Sequence, residues 1–171
     1  AQDISEFMQM RREIKKSREL LEKRNFEMEL DLRNAQYVQK TYLPSSPPDW
    51  KYLNVGYEYL PLEAIGGDYF SFINFREGGY GLFLGDVTGH GVMAALFLSL
   101  LKGTCDRGLR KYGQSPAELM VYLNRNFVDE TPLMLTAIYA YFTREPDGRM
   151  QVTISKAGHP PPVLVHSNVH H

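Results

Sequence analysis

The sequence predicts an α+β domain with antiparallel sheets, carried behind a long N-terminal helix. Three observations predict it. Residues 1 to about 43 hold no Gly or Pro and interleave nine Lys and Arg with eight Asp and Glu, a composition that favours a solvated helix. From Trp50 onward, short apolar and aromatic runs separated by turn sequences read as strands. Two helical segments sit together in the middle of those strands, the segregated order of an α+β chain.

The elements follow in chain order. Phe7, Ile14, Leu21, Met28, Ala35 and Tyr42 recur every seven residues, one row of a heptad seam. The companion row, Arg11, Arg18, Asn25, Leu32 and Gln39, is mostly polar, so the expected coiled coil is weak and adjustable; a single amphipathic helix lying on the domain is the alternative. Pro44, Pro47 and Pro48 end the helix and divide the chain into a linker or switch helix, 1–43, and a domain, 44–171. YLNVGYEYL (52–60) and DYFSFINF (68–75) read as strands, REGG (76–79) as a turn and YGLFLGDV (80–87) as a further strand. VMAALFLSLLKG (92–103) is apolar on nearly every face and predicts a buried helix. Ser115, Pro116 and Glu118 make a capping box with proline at the first helical position, opening a helix that runs to about Phe127. MLTAIYAYF (134–142) and MQVTISKA (150–157) are strands joined across EPDG, and PPVLV (161–165) begins another.

Composition excludes several function classes. A net charge of −1 gives no electrostatic case for nucleic acid or an anionic membrane surface. No apolar run approaches the roughly 20 residues needed to span a bilayer. Cys105 is the single cysteine, so an internal disulfide and a four-cysteine zinc site are excluded; it reads as a packed free thiol, and the expected setting is the cytoplasm. His170 and His171 close the sequence and are not counted as ligands.

The chemistry concentrates in two glycine-cut carboxylates. In IGGDYFSF, Asp68 reads as a turn former, as a metal ligand, or as part of a variant of the GGDEF hairpin of nucleotide cyclases. In GDVTGHG, Asp86 leaves the end of an apolar strand, and the glycines let the backbone turn closely around a bound ion. Carboxylates and exposed main-chain carbonyls there are hard oxygen ligands suited to Mg2+ or Mn2+. The helix that follows aims its first amides at the same turn. The segment between the two aspartates reads as a hairpin, which brings Asp68 and Asp86 side by side at its open end and within reach of one metal cluster. A GGDEF cyclase would need an α/β segment before the hairpin, where this chain has a charged helix and a proline break.

IGGDYFSF, LFLGDVTGHGVMAALF, SPAELMVYLN, LTAIYAYF and AGHPPPVL, in this order and spacing, resemble the bacterial SpoIIE-like serine/threonine phosphatases, a branch of the metal-dependent PPM superfamily. AQYVQKTYLPSSPP resembles the segment that joins these domains to an upstream helix, so the likeness runs from about Leu32 to Val165. It implies an αββα sandwich, incomplete here at the C-terminus, whose facing sheets hold Mn2+ or Mg2+ and direct a metal-bound water at phosphoserine or phosphothreonine. Carried over by motif, Asp86 bridges metals, Val87 offers its main-chain carbonyl, and Asp68 binds directly or through water. His90 reads as a proton donor or as a turn residue, and His159 as a structural residue after its strand. Lys156 and Arg107 are cations that could meet phosphate, with nothing in the sequence to choose between them.

The resemblance also implies partners: a phosphoprotein substrate such as an anti-sigma-factor antagonist of the STAS type, an upstream sensor or receiver module, and a homodimer formed through the N-terminal helix. Members of the family continue into a further strand pair with a TDG-like motif and a later aspartate, both metal ligands. After Val87 this sequence has aspartates only at Asp106, Asp129 and Asp147, each read as helix end, loop or turn. The expectation is therefore a truncated phosphatase domain whose ligand set is incomplete within this stretch. A degenerate phosphatase domain acting as a binding or dimerisation module is the alternative.

Overall fold

The computed structural model describes residues 2–61, 65–76, 78–89, 91–127 and 133–165. His90, Glu77 of the REGG turn and Asp129 lie outside the described residues. The chain forms helix α1 (Gln2–Lys40), strands β1 (Asp68–Asn74) and β2 (Tyr80–Val87), helices α2 (Val92–Tyr112) and α3 (Pro116–Phe127), and strands β3 (Leu135–Arg144) and β4 (Met150–Ala157). The α+β class is as the sequence predicts. The four strands make one antiparallel sheet in the order β1-β2-β3-β4, with α2 and α3 inserted between its two hairpins.

Side-chain alternation divides the sheet into two faces. Tyr69, Phe83, Val87, Ala137, Tyr139 and Tyr141 point to one side, where they meet Phe97, Leu98, Leu101, Cys105 and Leu109 of α2 and Leu119, Met120, Leu123 and Phe127 of α3 in a single buried core. Cys105 is a buried free thiol, as expected from its place in the sequence. Gly108 of α2 lets the two helices approach, since a Cβ there would press on Leu119 and Tyr122. Tyr139 is fully buried and donates its hydroxyl to the carbonyl of Gly113 at 2.6 Å, tying the sheet to the α2–α3 junction.

The other face carries Asp68, Phe70 and Phe72 of β1, Leu82, Leu84 and Asp86 of β2, Thr136, Ile138 and Ala140 of β3, and Ile154 and Lys156 of β4. Here lies one half of the expected sandwich: a helical layer and one sheet, with no second sheet among the described residues. Residues 52–60 are not the strand that their pattern predicts. Leu53, Val55, Tyr57 and Tyr59 do alternate with exposed neighbours, the period of an extended chain, but the segment makes no ladder with β1. Instead Trp50 stacks on Tyr80 (centroids 4.7 Å apart), and Tyr57 packs on Phe70 and Phe72. Alternation specifies an extended backbone; only a partner edge makes it a strand. Residues 161–165 are likewise outside any strand and exposed.

Two helices differ from their sequence reading. α2 runs on through Gly103 to Tyr112 and is buried along one face only; Val92, Met93, Leu96 and Leu100 are exposed on the other. An all-round apolar pattern cannot by itself say which side a sheet will cover. Asp106, read as a helix end or turn, lies inside α2 and pairs with Lys102 at 3.1 Å. α1 does not lie along the domain. Of the residues whose burial is described, those before Leu32 are all exposed, and contact begins with Leu32, Ala35, Gln36 and Gln39, followed by Tyr42 and Leu43. α3 starts at Pro116 and ends at Phe127, the predicted limits.

Replacing Tyr139 with Phe removes the buried hydroxyl and leaves the Gly113 carbonyl without its donor. The expected cost is about 1–3 kcal/mol of unfolding free energy, read from urea unfolding with an unchanged slope.

Candidate metal centre

Asp68 and Asp86 face each other. They are directly paired residues at the open end of the β1–β2 hairpin, on the sheet face turned away from the helices. Directly opposed residues of an antiparallel pair hold their Cβ atoms roughly 5 Å apart, close enough for both carboxylates to reach one ion. The side-by-side placement predicted from the hairpin is what the fold contains. Both side chains are open to solvent on one side. Even so, desolvation pushes the carboxyl of Asp68 above the ordinary range, the charge of Asp86 pushes it further, and the charge of His159 pulls it back.

The two glycines before Asp68 have separate reasons. A Cβ on Gly67 would collide with the carbonyl oxygen of Val87 and approach that of Gly89. Glycine therefore keeps open the space beside the main-chain oxygen that the sequence singles out. The Gly67 carbonyl in turn accepts from the Val87 amide at 3.1 Å, so the IGGD segment and the end of β2 hold each other. On the far side of the same turn, the Thr88 amide donates to Met134 at 2.8 Å. Gly89 and Gly91 then take φ of 108° and 76°, the left-handed side that other residues avoid. Gly91 caps α2 with no side-chain hydrogen bond.

Two further side chains extend the row. Thr136 is the β3 residue directly opposite Asp86, and its hydroxyl lies 3.0 Å from Nδ1 of His159. Gly158, at φ 65° and bridged to Ala137, turns the chain after β4 so that His159 reaches this position. The sequence reading held His159 to be structural; its contact with Thr136 and its influence on Asp68 bring it to the aspartate pair. Its presence in AGHPPP was the available signal, whereas nothing marks Thr136 among ordinary strand threonines. Lys156 lies on the aspartate face, directly opposite Ile138, and donates to the carbonyl of His159 at 3.1 Å. Arg107 projects from α2, in the layer on the opposite side of the sheet, and donates to Thr104 at 3.1 Å. Of the two cations, the fold brings Lys156 toward the aspartates.

The donor set fits a hard divalent cation in part. Two carboxylates and a crowded main-chain carbonyl are oxygen donors of the right kind. Among the described residues no group of three or more His, Cys, Asp or Glu side chains gathers at one point.

The α+β class and the placement of two aspartates at the open end of the first hairpin are what the resemblance to SpoIIE-like phosphatases of the PPM superfamily leads one to expect. The family model described as stage II sporulation protein E (SpoIIE) matches residues 76–171, more than half of the sequence, and the chain belongs to that family. It is 29% identical over 137 residues to the phosphoserine phosphatase RsbU of Bacillus subtilis, covering 79% of this chain and 39% of that protein. To the phosphoserine phosphatase RsbP of the same organism it is 30% identical over 145 residues, covering 81% of this chain and 34% of RsbP. The chain therefore spans well under half the length of either relative. The solved SiaA-PP2C domain of Pseudomonas aeruginosa superposes with a TM-score of 0.56 at 20% identity, covering 70% of this chain and 49% of that one, which shows a shared fold.

Gly67→Ala should cost about 1–3 kcal/mol, because the added methyl group meets backbone that cannot step aside. Gly66→Ala should cost less, since its Cβ would meet only the tip of the Tyr59 side chain at 3.0 Å. Parallel urea unfolding of the two variants checks the order.

Proposed function

We propose that this chain is the catalytic segment of a metal-dependent phosphatase that removes phosphate from serine or threonine of a regulatory protein in the cytoplasm. The observation that carries this reading is the direct pairing of Asp68 with Asp86 on an open sheet face, beside a Val87 carbonyl that only glycine at position 67 accommodates. The names of the relatives, both phosphoserine phosphatases, support the substrate class. An anti-sigma-factor antagonist of the STAS type is the substrate that the family resemblance suggests.

Asp68, Asp86 and the Val87 carbonyl would hold Mn2+ or Mg2+. When bound, such ions supply charge to offset the phosphate and acidify a coordinated water. The residues of the chain do the rest. The hairpin register holds the two carboxylates at a fixed spacing, which removes the cost of assembling them at each turnover. Lys156 offers a cation on the same face for a phosphate oxygen. His159, in contact with Thr136, sets an imidazole on the side of the sheet that carries Asp68. His90, outside the described residues, keeps its two sequence readings, proton donor or turn residue.

The regulatory part of the proposal rests on α1. Phe7, Ile14, Leu21 and Met28 are each more than half exposed along a helix of 39 residues, about 58 Å long. The i,i+4 ion pairs Lys15–Glu19, Arg18–Glu22 and Lys23–Glu27 all place the basic residue first, the weaker orientation, worth a few tenths of a kcal/mol each. A second copy packed along the heptad row supplies what these pairs do not. An upstream sensor or receiver module would act through the helix pair.

A second reading, a binding or dimerisation module without catalysis, is favoured by the incomplete cluster of ligating side chains among the described residues. Activity separates the two. In the longest natural chain containing this segment, phosphate release from a phosphoserine protein should require Mn2+ or Mg2+ and fall roughly 100-fold or more in Asp86→Asn. Equal activity in both proteins would remove Asp86 from the chemistry, and none in either would favour the binding module. For the helix, Ile14→Lys with Leu21→Lys should convert a dimer to a monomer in light scattering after gel filtration.

A further inference from the structure

β1 is an edge strand: in the order β1-β2-β3-β4, its ladder among the described residues is with β2. The Val87 amide donates to the Gly67 carbonyl and the Phe75 amide to that of Gly79. Odd-numbered residues between these two points therefore turn their main-chain groups toward β2. The even-numbered ones, Phe70, Phe72 and Asn74, turn theirs to the free edge, where no backbone group among the described residues meets them. Native edges are commonly blunted by proline, by lysine or by a covering segment. Residues 68–75 contain neither proline nor lysine, whereas the opposite edge strand, β4, carries Lys156.

Beside this edge runs α2. A groove of about 480 Å³ lies between them, bounded by Ser71, Ile73 and Phe75 on the strand side and by Asp106, Leu109 and Arg110 on the helix side. The three helical residues are spaced i, i+3, i+4 and so share one face. An edge strand facing a helix accepts an extended peptide as an added strand, with main-chain hydrogen bonds for affinity and alternate side chains in the groove. Charge selects the occupant. Arg76 and Arg110 line the groove, and with Lys111 they also line an adjoining cavity of about 450 Å³ that has no carboxylate among its described residues. Asp106 is paired with Lys102 at 3.1 Å, and Arg110 is anchored at one nitrogen by the Asp106 carbonyl at 3.2 Å. The part of the groove nearest the hairpin turn is thus cationic, and arginine grips carboxylates through paired N–H groups.

We propose that the β1 edge and α2 form a docking groove for an extended acidic segment of a partner protein, which joins the sheet as a further strand with its carboxylates at Arg76, Arg110 and Lys111. At roughly 3.3 Å per residue, the basic end lies about 20 Å along β1 from Asp68. The groove is separate from the aspartate pair and stands independently of the metal reading.

The probe is a synthetic peptide of alternating valine and threonine preceded by a run of glutamates; the same peptide with lysines in their place is the control. Binding to the whole chain is read by fluorescence anisotropy, and hydrogen exchange is followed at the Phe70, Phe72 and Asn74 amides. Asn74→Pro removes an outward-facing N–H and leaves the β1–β2 ladder whole, the setting in which a strand tolerates proline. Arg76→Glu with Arg110→Glu reverses the charge and leaves the backbone alone. Thermal unfolding of each variant reports whether the fold is kept. The expected result is binding of the glutamate peptide with slowed exchange at the outward amides, weakening as salt rises. The lysine peptide should bind at least about 10-fold more weakly, and each variant should lose about 10-fold or more in affinity for the glutamate peptide. No binding of the glutamate peptide, equal binding of the two peptides, or binding that leaves the outward amides at their free exchange rates overturns the proposal. So does self-association of the wild-type chain that Asn74→Pro abolishes, which would make this edge an interface between copies.

Discussion

The register of the β1–β2 hairpin is the constraint on which the rest depends. Asp68 opposes Asp86 only because Tyr69 and Phe83 both turn to the helical side and are buried there. A slip of one residue would flip every side chain of a strand to the other face. It would carry Tyr69 into solvent and a carboxylate into the aromatic core, a cost of several kcal/mol from the tyrosine's burial and the stranded charge together. The apolar core thus fixes the placement of two side chains it never touches. β3 repeats the device, since burial of Ala137 and Tyr139 leaves Thr136 on the aspartate side.

That placement has an energetic consequence for the protein itself. Two carboxylates held directly opposite each other repel, and partial desolvation adds to the effect at Asp68. A carboxyl whose folded value lies above its unfolded value weakens folding at neutral pH, and the penalty fades as pH falls and the group takes up its proton. The same repulsion favours any cation that settles between the pair. A cation bound there would recover what the fold loses at this pair, and the charge of His159 already offsets part of the repulsion.

Much of this could be read in the residues. The hairpin, the turn at EPDG, the limits of α3 and the pairing of the aspartates all rest on local signals: period-two alternation, glycine turns and a helix-start motif. What the sequence did not disclose depends on what lies across from a segment. Residues 52–60 alternate correctly and still form no strand, because pairing is a property of two edges. α2 is apolar all round and yet covered on one side, because one sheet covers one side. Thr136 became visible only through the register that sets it beside Asp86. Gln39 stood in the sequence as a polar interruption of a heptad row; its burial against Gly66 follows from where α1 ends, which no periodicity records.

The break at Pro44 links these levels. Proline there forbids α1 from continuing, so the chain leaves the helix just where Tyr42 and Leu43 can enter the core. The Tyr57 hydroxyl donates to the Pro44 carbonyl at 2.7 Å, and its ring covers Phe70 and Phe72 on β1. The end of the helix, the crossing segment and the strand that begins with Asp68 are therefore packed as one unit. Among the residues of α1 whose burial is described, those before Leu32 are exposed, and the helix meets the domain through its last turns. In this fold they hold the first glycine of the loop that leads to Asp68.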